Sequence, residues 1–306
     1  MSYGKDTLFW DFGTSPILTK KHVIMALMRK GNSWLVAFEK QTGKVAWQVE
    51  RNYQTPIEGD HSYATPIVTT QNNREAILVW GAERFTAHDA DNVDVLCHAA
   101  AYAHEGLSSI SPTLICNNNV TGSTSVFTAS IRNKIKRIVY CSSMARYGDI
   151  KIPYKEDDKL EPVDPYGVSK VAAENILKIL CKTHDIEYNI AVPHNIIGPK
   201  QKYDDPFRNV ASIMINLMLQ NRRPIIYGDG EQKRSFSDVR DCISCIDILT
   251  TSNEVINQIV NIGPGDENYM TINNLFEMIS NKLKFNQKPI FYPERANEIK
   301  HSTCSS

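Results

Sequence analysis

Short runs of β-branched and aromatic residues alternate with polar turns through the first ninety residues. The runs recur about every 8 to 12 residues and show no helical period, which is typical of strands joined by tight turns. The connections carry the Gly, Asn, Asp and Ser residues that turns favour. This pattern predicts an all-β segment, either a sandwich, a barrel or a propeller, with strands at 22–28, 34–38, 44–50, 63–70, 75–81 and 84–89.

The hydrophobic period changes after residue 92. Apolar runs of strand length now alternate with stretches whose apolar residues recur at spacings of three and four. The helix at 164–184 is the clearest, because Asp164 can cap it and Pro165 suits its first turn. Alternating strands and helices predict a parallel α/β sheet, with strands at 93–100, 136–143 and 188–195 and a further helix at 111–133.

Composition divides the chain at the same place. All 4 Trp lie at or before Trp80, and all 7 Cys lie at or after Cys97. We therefore predict two segments, residues 1–90 and 91–306, with the boundary near residues 90–92. The odd number of scattered Cys favours reduced thiols over a disulfide framework.

Charge narrows the choice of partners. The 34 basic and 34 acidic residues cancel, which gives no reason to expect a nucleic-acid or membrane partner. The chain contains no apolar run of membrane-spanning length and begins with no signal-peptide pattern. We expect a cytoplasmic protein. Cys242 and Cys245 have the spacing of a metal pair, but without a second pair we interpret them as helix residues and expect no metal.

Candidate chemistry lies where the predicted parallel strands end. Ligands of open parallel sheets bind beyond the carboxyl ends of the strands. Three sets of residues fall there, at 98–101, 142–144 and 194–197. Their convergence predicts a functional site from topology alone.

Tyr166 and Lys170 stand four residues apart on the predicted helix and therefore share a face. A free tyrosine has a pKa of about 10, and a neighbouring ammonium lowers it toward the range of a useful base. Ser143, at the end of a neighbouring strand, could hold a substrate hydroxyl. The three residues together predict a proton relay for oxidising an alcohol, provided that a hydride acceptor lies beside them.

The first segment resembles a known repeat. Residues 35–51, LVAFEKQTGKVAWQVER, are similar to the repeat of quinoprotein-like β-propellers, although Glu39 replaces the usual Asp. Residues 81–90 look like the start of a second unit. A closed propeller needs about four to eight four-stranded blades, so ninety residues supply a fragment that cannot enclose the quinone cofactor. We interpret the segment as structural.

Residues 91–306 resemble the extended short-chain dehydrogenases, specifically the NAD-dependent sugar-nucleotide epimerases and dehydratases. The motifs that carry the resemblance follow in order as HAAAYAHEG, NNNVTGST, IVYCSSMARYG, PYGVSK, NIIGPKQ, YGDGEQKRSF and YPERANEIKHS. The resemblance implies a catalytic triad of Ser143, Tyr166 and Lys170. It also implies that Ala99, Ala100, Asn119, Ser142, Tyr166 and Lys170 bind NAD, and that a nucleotide-sugar contacts Asn195, Asn209, Val210, Tyr227, Arg234, Arg295 and Glu298.

The resemblance also separates reaction types. Dehydratases of the group carry Asp-Glu directly after the catalytic hydroxyl residue, and the decarboxylases carry a Glu at the second position. Met144 and Ala145 stand there instead. We therefore expect 4-epimerisation through a ketone, with a related NAD(P)-dependent reductase as the alternative. The identity of the sugar stays open.

One expected motif is missing. A doubly wound sheet binds the dinucleotide pyrophosphate at a Gly-rich turn and a helix N-terminus, but neither G-x-G-x-x-G nor G-x-x-G-x-x-G occurs. We expect a truncated, Rossmann-like parallel sheet that lacks its first strands, with weak or no NAD binding. An inactive remnant, or a fusion of two truncated domains, is the alternative. The open sheet edge predicts either oligomers, such as a homodimer, or poor solubility.

Overall fold

The computed structural model describes residues 15–28, 33–51, 66–71, 74–81, 84–89, 95–199, 201, 203, 205, 209–264, 269–294 and 299–305. The chain divides into two compact units. The first holds the described residues up to Ala100 together with Thr121–Cys141 and Ile176–Asn189. The second holds Ala101–Val120, Ser142–Asn175 and the described residues from Ile190 onward.

Every described element before residue 105 is a strand. The strands are β1 (Ile17–Leu18), β2 (His22–Leu27), β3 (Trp34–Glu39), β4 (Val45–Glu50), β5 (Ile67–Gln71), β6 (Arg74–Gly81), β7 (Arg84–Asp89) and β8 (Val95–His98). The structure confirms the six strands predicted between residues 22 and 89. Residues 63–65, the start of one of them, lie outside the described residues.

Helices and strands alternate through the rest of the chain. The helices are α1 (Glu105–Ser108), α2 (Pro112–Cys116), a π-helical turn (Asn117–Thr121), α3 (Gly122–Arg132), a 3-10 turn (Met144–Arg146), α4 (Pro165–His184), α5 (Val210–Leu219), α6 (Val239–Thr251) and α7 (Ile272–Leu283). The strands are β9 (Arg137–Cys141), β10 (Glu187–Pro193), β11 (Ile196–Ile197), β12 (Ile225–Tyr227), β13 (Lys233–Ser235), β14 (Ser237–Asp238), β15 (Gln258–Ile262), β16 (Tyr269–Thr271), β17 (Ile290–Tyr292) and β18 (His301–Ser302).

The first four strands form an antiparallel sheet in the order β1-β2-β3-β4. The β2–β3 register runs from His22 opposite Glu39 to Leu27 opposite Trp34. One face is apolar, and its core includes Ile24, Leu35 and Ala37, none of which is exposed to solvent. This sheet is open and is not a closed propeller, so the propeller resemblance finds no structural support.

The remaining N-terminal strands belong to a different sheet. Seven strands are hydrogen-bonded in the order β15-β10-β9-β8-β7-β6-β5. β8 and β9 run parallel, with Cys97 opposite Val139, whereas β7 pairs with β8 antiparallel through Ala87 and Cys97. The expectation of an exposed edge at the strand after residue 92 is therefore wrong, because β7 covers that edge. The predicted boundary between two segments near residue 90 stays a prediction. The seven-stranded sheet contains strands from both sides of that boundary.

The predicted α/β elements are present with adjusted ends. The predicted helix at 111–133 is α2, the π-helical turn and α3 in succession, and the predicted helix at 164–184 is α4. Asp164 caps α4 as expected, because its Oδ1 accepts a 2.7 Å hydrogen bond from the Gly167 amide. Cys242 and Cys245 lie on α6.

The second unit has its own small core. Apolar side chains of α5, α7 and the short strands near them pack together, among them Met214, Ile226, Phe236 and Leu275. Three further strands are ordered β16-β13-β18, so the C-terminal strand β18 runs beside Arg234. None of the helices in the described part of the chain is long and apolar enough to span a bilayer.

Candidate active site

A cavity of about 660 Å³ lies within the second unit. Its walls come from the residues after β9 and β10, the first turn of α4, and the region of α5 and β12. The residues that line the cavity include Ser142, Ser143, Tyr166, Asn195, Asn209, Val210, Tyr227 and Arg234. Eight residues that were predicted as site residues from the sequence therefore line the same cavity.

Tyr166 and Lys170 are both buried on α4, with exposed fractions of 6% and 2%. The i and i+4 spacing brings the Lys170 Nζ to 5.9 Å from the centre of the Tyr166 ring. Ser143 lies at the start of the 3-10 turn after β9, and its Oγ accepts a 3.2 Å hydrogen bond from the Ala145 amide. A phenol, an ammonium and a hydroxyl therefore occupy neighbouring elements beside the cavity.

Asn119 lies in the π-helical turn and is 1% exposed. Its side-chain amide donates to the Tyr102 carbonyl and the Ser169 hydroxyl, each at 3.1 Å, and its Oδ1 accepts from the Tyr102 amide at 2.8 Å. The amide therefore holds the loop after β8 against α4. Ala99 and Ala100 follow β8 at its carboxyl end, within the first unit.

The same cavity is lined by residues that the resemblance implies for a nucleotide-sugar. Asn195 has a φ of 37° and donates from Nδ2 to the Ser235 carbonyl at 3.1 Å. Asn209 caps α5, whose first residue is Val210, by accepting the Ala211 amide at 2.9 Å. Tyr227 ends β12, and its ring lies 6.1 Å from the ring of Tyr292.

Arg234 is anchored by the C-terminal segment. Its guanidinium donates to the carbonyls of Lys233 and Lys300 at 2.9 and 3.0 Å and to that of Ile299 at 2.6 Å. Neutral carbonyls orient the guanidinium without cancelling its charge. Arg295 and Glu298, the other two predicted ligands of this region, lie outside the described residues.

His194, which follows β10, is 2% exposed, and its Nε2 lies 3.1 Å from the Ser302 hydroxyl. Burial, and secondarily the charge of Arg234, lowers the pKa of His194 to about 4. A ring that stays neutral at pH 7 adds no positive charge near Arg234. His194 is thus a packing residue at the strand end.

Sequence reasoning missed two polar pairs of the second unit. His104 Nε2 lies 3.0 Å from the carboxylate of Asp205, a residue of the cavity wall. Glu174, fully buried on α4, binds Ser142 and Arg146. A helical projection would have placed Glu174 on the same helix face as Lys170. No spacing rule, however, relates Glu174 or His104 to their partners on other elements.

Comparison with known proteins identifies the family of this chain. Residues 21–263 match the model of the NAD dependent epimerase/dehydratase family. The chain belongs to this family. The match starts at residue 21 and so includes strands from the segment that resembled a propeller repeat.

Similar members of the family are named as epimerases. A putative UDP-glucose 4-epimerase of Methanocaldococcus jannaschii is 34% identical over 68% of this chain and 67% of its own length. The Methanobrevibacter ruminantium UDP-N-acetylglucosamine 4-epimerase, solved with UDP-N-acetylmuramic acid, is 32% identical, with a TM-score of 0.65, over 70% of this chain and 68% of that one.

The share of a relative's own length that the chain covers varies from one relative to the next. The Thermotoga maritima UDP-glucose 4-epimerase, solved with UDP-glucose, is 25% identical with a TM-score of 0.65 over 69% of this chain and 68% of that one. The chain covers 42% of the Dictyostelium discoideum dTDP-D-glucose 4,6-dehydratase and 54% of a Bacillus subtilis epimerase relative.

The family's cofactor fits the described residues only in part. Asn119, Ser142, Tyr166 and Lys170, which the resemblance implies for NAD binding, are all buried in the second unit. The pyrophosphate, however, needs a helix N-terminus directly after an early parallel strand. Before α1, the described elements are all strands, and β5, β6 and β7 are joined antiparallel. The described part of the chain therefore has no cradle for the pyrophosphate.

Proposed function

We propose that the cavity binds a nucleotide-sugar and that Ser143, Tyr166 and Lys170 form the proton relay of a 4-epimerase. One observation carries the proposal: a single cavity is lined by the hydroxyl groups of Ser143 and Tyr166 and by the cation of Arg234. Its volume of about 660 Å³ lies within the roughly 300–1,000 Å³ of small-molecule sites.

In this proposal the nucleotide half binds beside Asn209, Tyr227 and Arg234, which line the cavity. A guanidinium forms strong, charge-assisted hydrogen bonds with phosphate oxygens, and carbonyl anchors hold this one in place. Backbone and amide groups at the start of α5 line the same wall. The diphosphate would therefore direct the sugar toward Ser143 and Tyr166.

At the sugar, the Tyr166 oxygen takes the proton of the substrate hydroxyl and later returns it. The Ser143 hydroxyl donates to the same substrate oxygen, and the buried Lys170 ammonium favours the phenolate. A bound nicotinamide would supply the hydride acceptor. Met144 and Ala145 carry no carboxyl group beside the hydroxyls, so this arrangement supports 4-epimerisation rather than dehydration or decarboxylation.

A second candidate is a nucleotide-sugar-binding protein without turnover. The antiparallel pairing of β7 with β8 favours it, because this pairing occupies the sheet edge where the family's next parallel strand would lie. The two candidates share the cavity and differ in the cofactor. The distinction is therefore a question of turnover rather than of nucleotide-sugar binding.

Calorimetric titration with UDP-glucose, followed by a turnover assay in excess NAD, separates the candidates. Binding with turnover supports the epimerase, binding without turnover supports the second candidate, and a chain that binds no UDP-sugar contradicts both. We expect Tyr166→Phe to lower kcat by about 10²- to 10⁴-fold while nucleotide-sugar affinity changes little. Tyr188→Phe, on β10 and away from the cavity wall, is the matched control.

A further inference from the structure

Glu174 lies on the same helix as Tyr166 and Lys170, and its side chain is fully buried. It follows Lys170 by four residues and Tyr166 by eight, so the three side chains stand along one face of α4. An ionised carboxylate without solvent is unfavourable unless other groups neutralise it and hydrogen-bond to it. The partners of Glu174 are therefore informative.

Both partners flank the turn that carries Ser143. The Ser142 hydroxyl donates a short hydrogen bond to Glu174 Oε1, and Arg146 Nη2 lies 3.1 Å from Glu174 Oε2. Ser142 and Arg146 are 4% and 2% exposed. One buried carboxylate thus binds the residue before Ser143 and the last residue of the 3-10 turn, and holds that turn at both ends.

Backbone hydrogen bonds also hold the turn. The Arg146 amide donates to the Ser143 carbonyl at 3.1 Å, and the Ser142 amide donates to the Ala191 carbonyl of β10 at 2.8 Å. Arg146 Nε and Nη1 are buried and have no hydrogen-bond acceptor among the described residues. The position of its guanidinium consequently depends on Glu174 and on the Tyr147 ring, 5.1 Å away.

We propose that Glu174 is a positioning residue that fixes Ser143 relative to Tyr166. Helix α4 carries both the Tyr166 phenol and the Glu174 carboxylate that holds the Ser143 turn. The distance between the Tyr166 and Ser143 hydroxyl groups is therefore set by contacts to a single helix. The inference rests on the proposed function, in which both hydroxyl groups act on one substrate oxygen. A displacement of about 1 Å between reacting groups lowers rates by up to about 100-fold.

A purely stabilising ion pair is the competing explanation, and the chain offers a control for it. Arg137 Nη2 lies 2.6 Å from Glu187 Oε2 at the other end of β9. This pair joins the same strand to β10, and neither residue lines the cavity. Glu187→Gln therefore reports on loss of a carboxylate partner without a change beside Ser143.

The kinetic test compares Glu174→Gln, Ser142→Ala, Ser142→Thr and Glu187→Gln in excess NAD. We expect Glu174→Gln and Ser142→Ala to lower kcat by about 10- to 100-fold with the KM for the nucleotide-sugar within about twofold. Ser142→Thr, which keeps the hydroxyl, should recover most of kcat, and Glu187→Gln should match the wild type. A folded Glu174→Gln with unchanged kcat overturns the proposal, as does an equal loss in Glu187→Gln.

Amide hydrogen exchange tests the same proposal without turnover. Exchange at Ala145, Arg146 and Tyr147 should accelerate in Glu174→Gln and Ser142→Ala, while Glu187→Gln leaves it unchanged. If the wild type shows no turnover, the proposed epimerase activity fails, and the exchange pattern still decides the role of Glu174. If Glu174→Gln does not fold, the Ser142→Ala and Ser142→Thr pair decides it. Unchanged exchange across the turn overturns the proposal.

Discussion

At the scale of single residues, burial determines what each polar group of the cavity can do. That Tyr166 and Lys170 share a helix face was predictable from their spacing, because i and i+4 side chains on a helix lie on one side. The burial of His194 was not predictable, because a histidine that follows a strand shows the same sequence pattern whether its ring is buried or exposed. The structure makes it buried and neutral.

The neutral His194 makes stability depend on pH. Its pKa is lowered from 6.5 to about 4, so its contribution is fully present above pH 6.5 and is lost as the pH falls toward 4. The shift corresponds to about 3 kcal/mol of unfolding free energy. Urea unfolding at pH 7.5, 5.5 and 4.5 measures it.

His194→Gln is the variant that isolates this group. We expect its stability to fall less between pH 6.5 and 4 than that of the wild type. His88 has a pKa lowered to about 3 by burial and by Arg51, and its own contribution should remain in the variant. Parallel pH profiles for the wild type and His194→Gln would contradict the assignment.

At the scale of elements, the first turn of α4 fits closely against the Ser143 turn. A Cβ on Gly167 would lie 2.5 Å from the Ala145 carbonyl oxygen, a backbone atom that cannot move without moving the turn. The sequence predicted the helix and the strand that ends at Ser143, but not the turn that follows. It did not predict this contact, because the closeness of two elements depends on how the chain brings them together.

Gly167→Ala tests the contact. We expect the added methyl group to destabilise the protein by about 1–3 kcal/mol and to lower kcat, because it separates Tyr166 from Ser143. Val168→Ala, at a neighbouring side chain that is 51% exposed, should change neither property. Thermal unfolding and turnover of both variants provide the measurement. A Gly167→Ala variant with full activity would contradict the prediction, because the turn would then have moved without loss of function.

At the scale of the whole molecule, the central sheet is a composite. Parallel strands β8 and β9 continue into the antiparallel strands β7, β6 and β5 instead of the early βα units of a doubly wound fold. The absent Gly-rich motif predicted that a pyrophosphate site is lacking, and the described residues provide none. It gave no indication that the N-terminal strands would pair with β8. Association into a homodimer stays a prediction.

The composite sheet predicts weak cofactor binding. We expect NAD to bind with a Kd of about 1 mM or weaker, because the described residues provide no helix N-terminus for its pyrophosphate. Calorimetry with NAD measures it, and a UDP-glucose titration of the same preparation shows that the cavity is intact. Tight, stoichiometric NAD would contradict the prediction and remove the case for a protein without turnover.

The sequence by itself determined the elements, the helix face of Tyr166 and Lys170, and the lack of a Gly-rich turn, because each depends on residues close together in the chain. Tertiary structure alone decided which distant residues meet. It placed β7 against β8, brought the carbonyls of Ile299 and Lys300 to Arg234, and turned Glu174 toward Ser142 and Arg146. These contacts depend on burial and on pairing between distant segments, and a single sequence read in order does not contain that information.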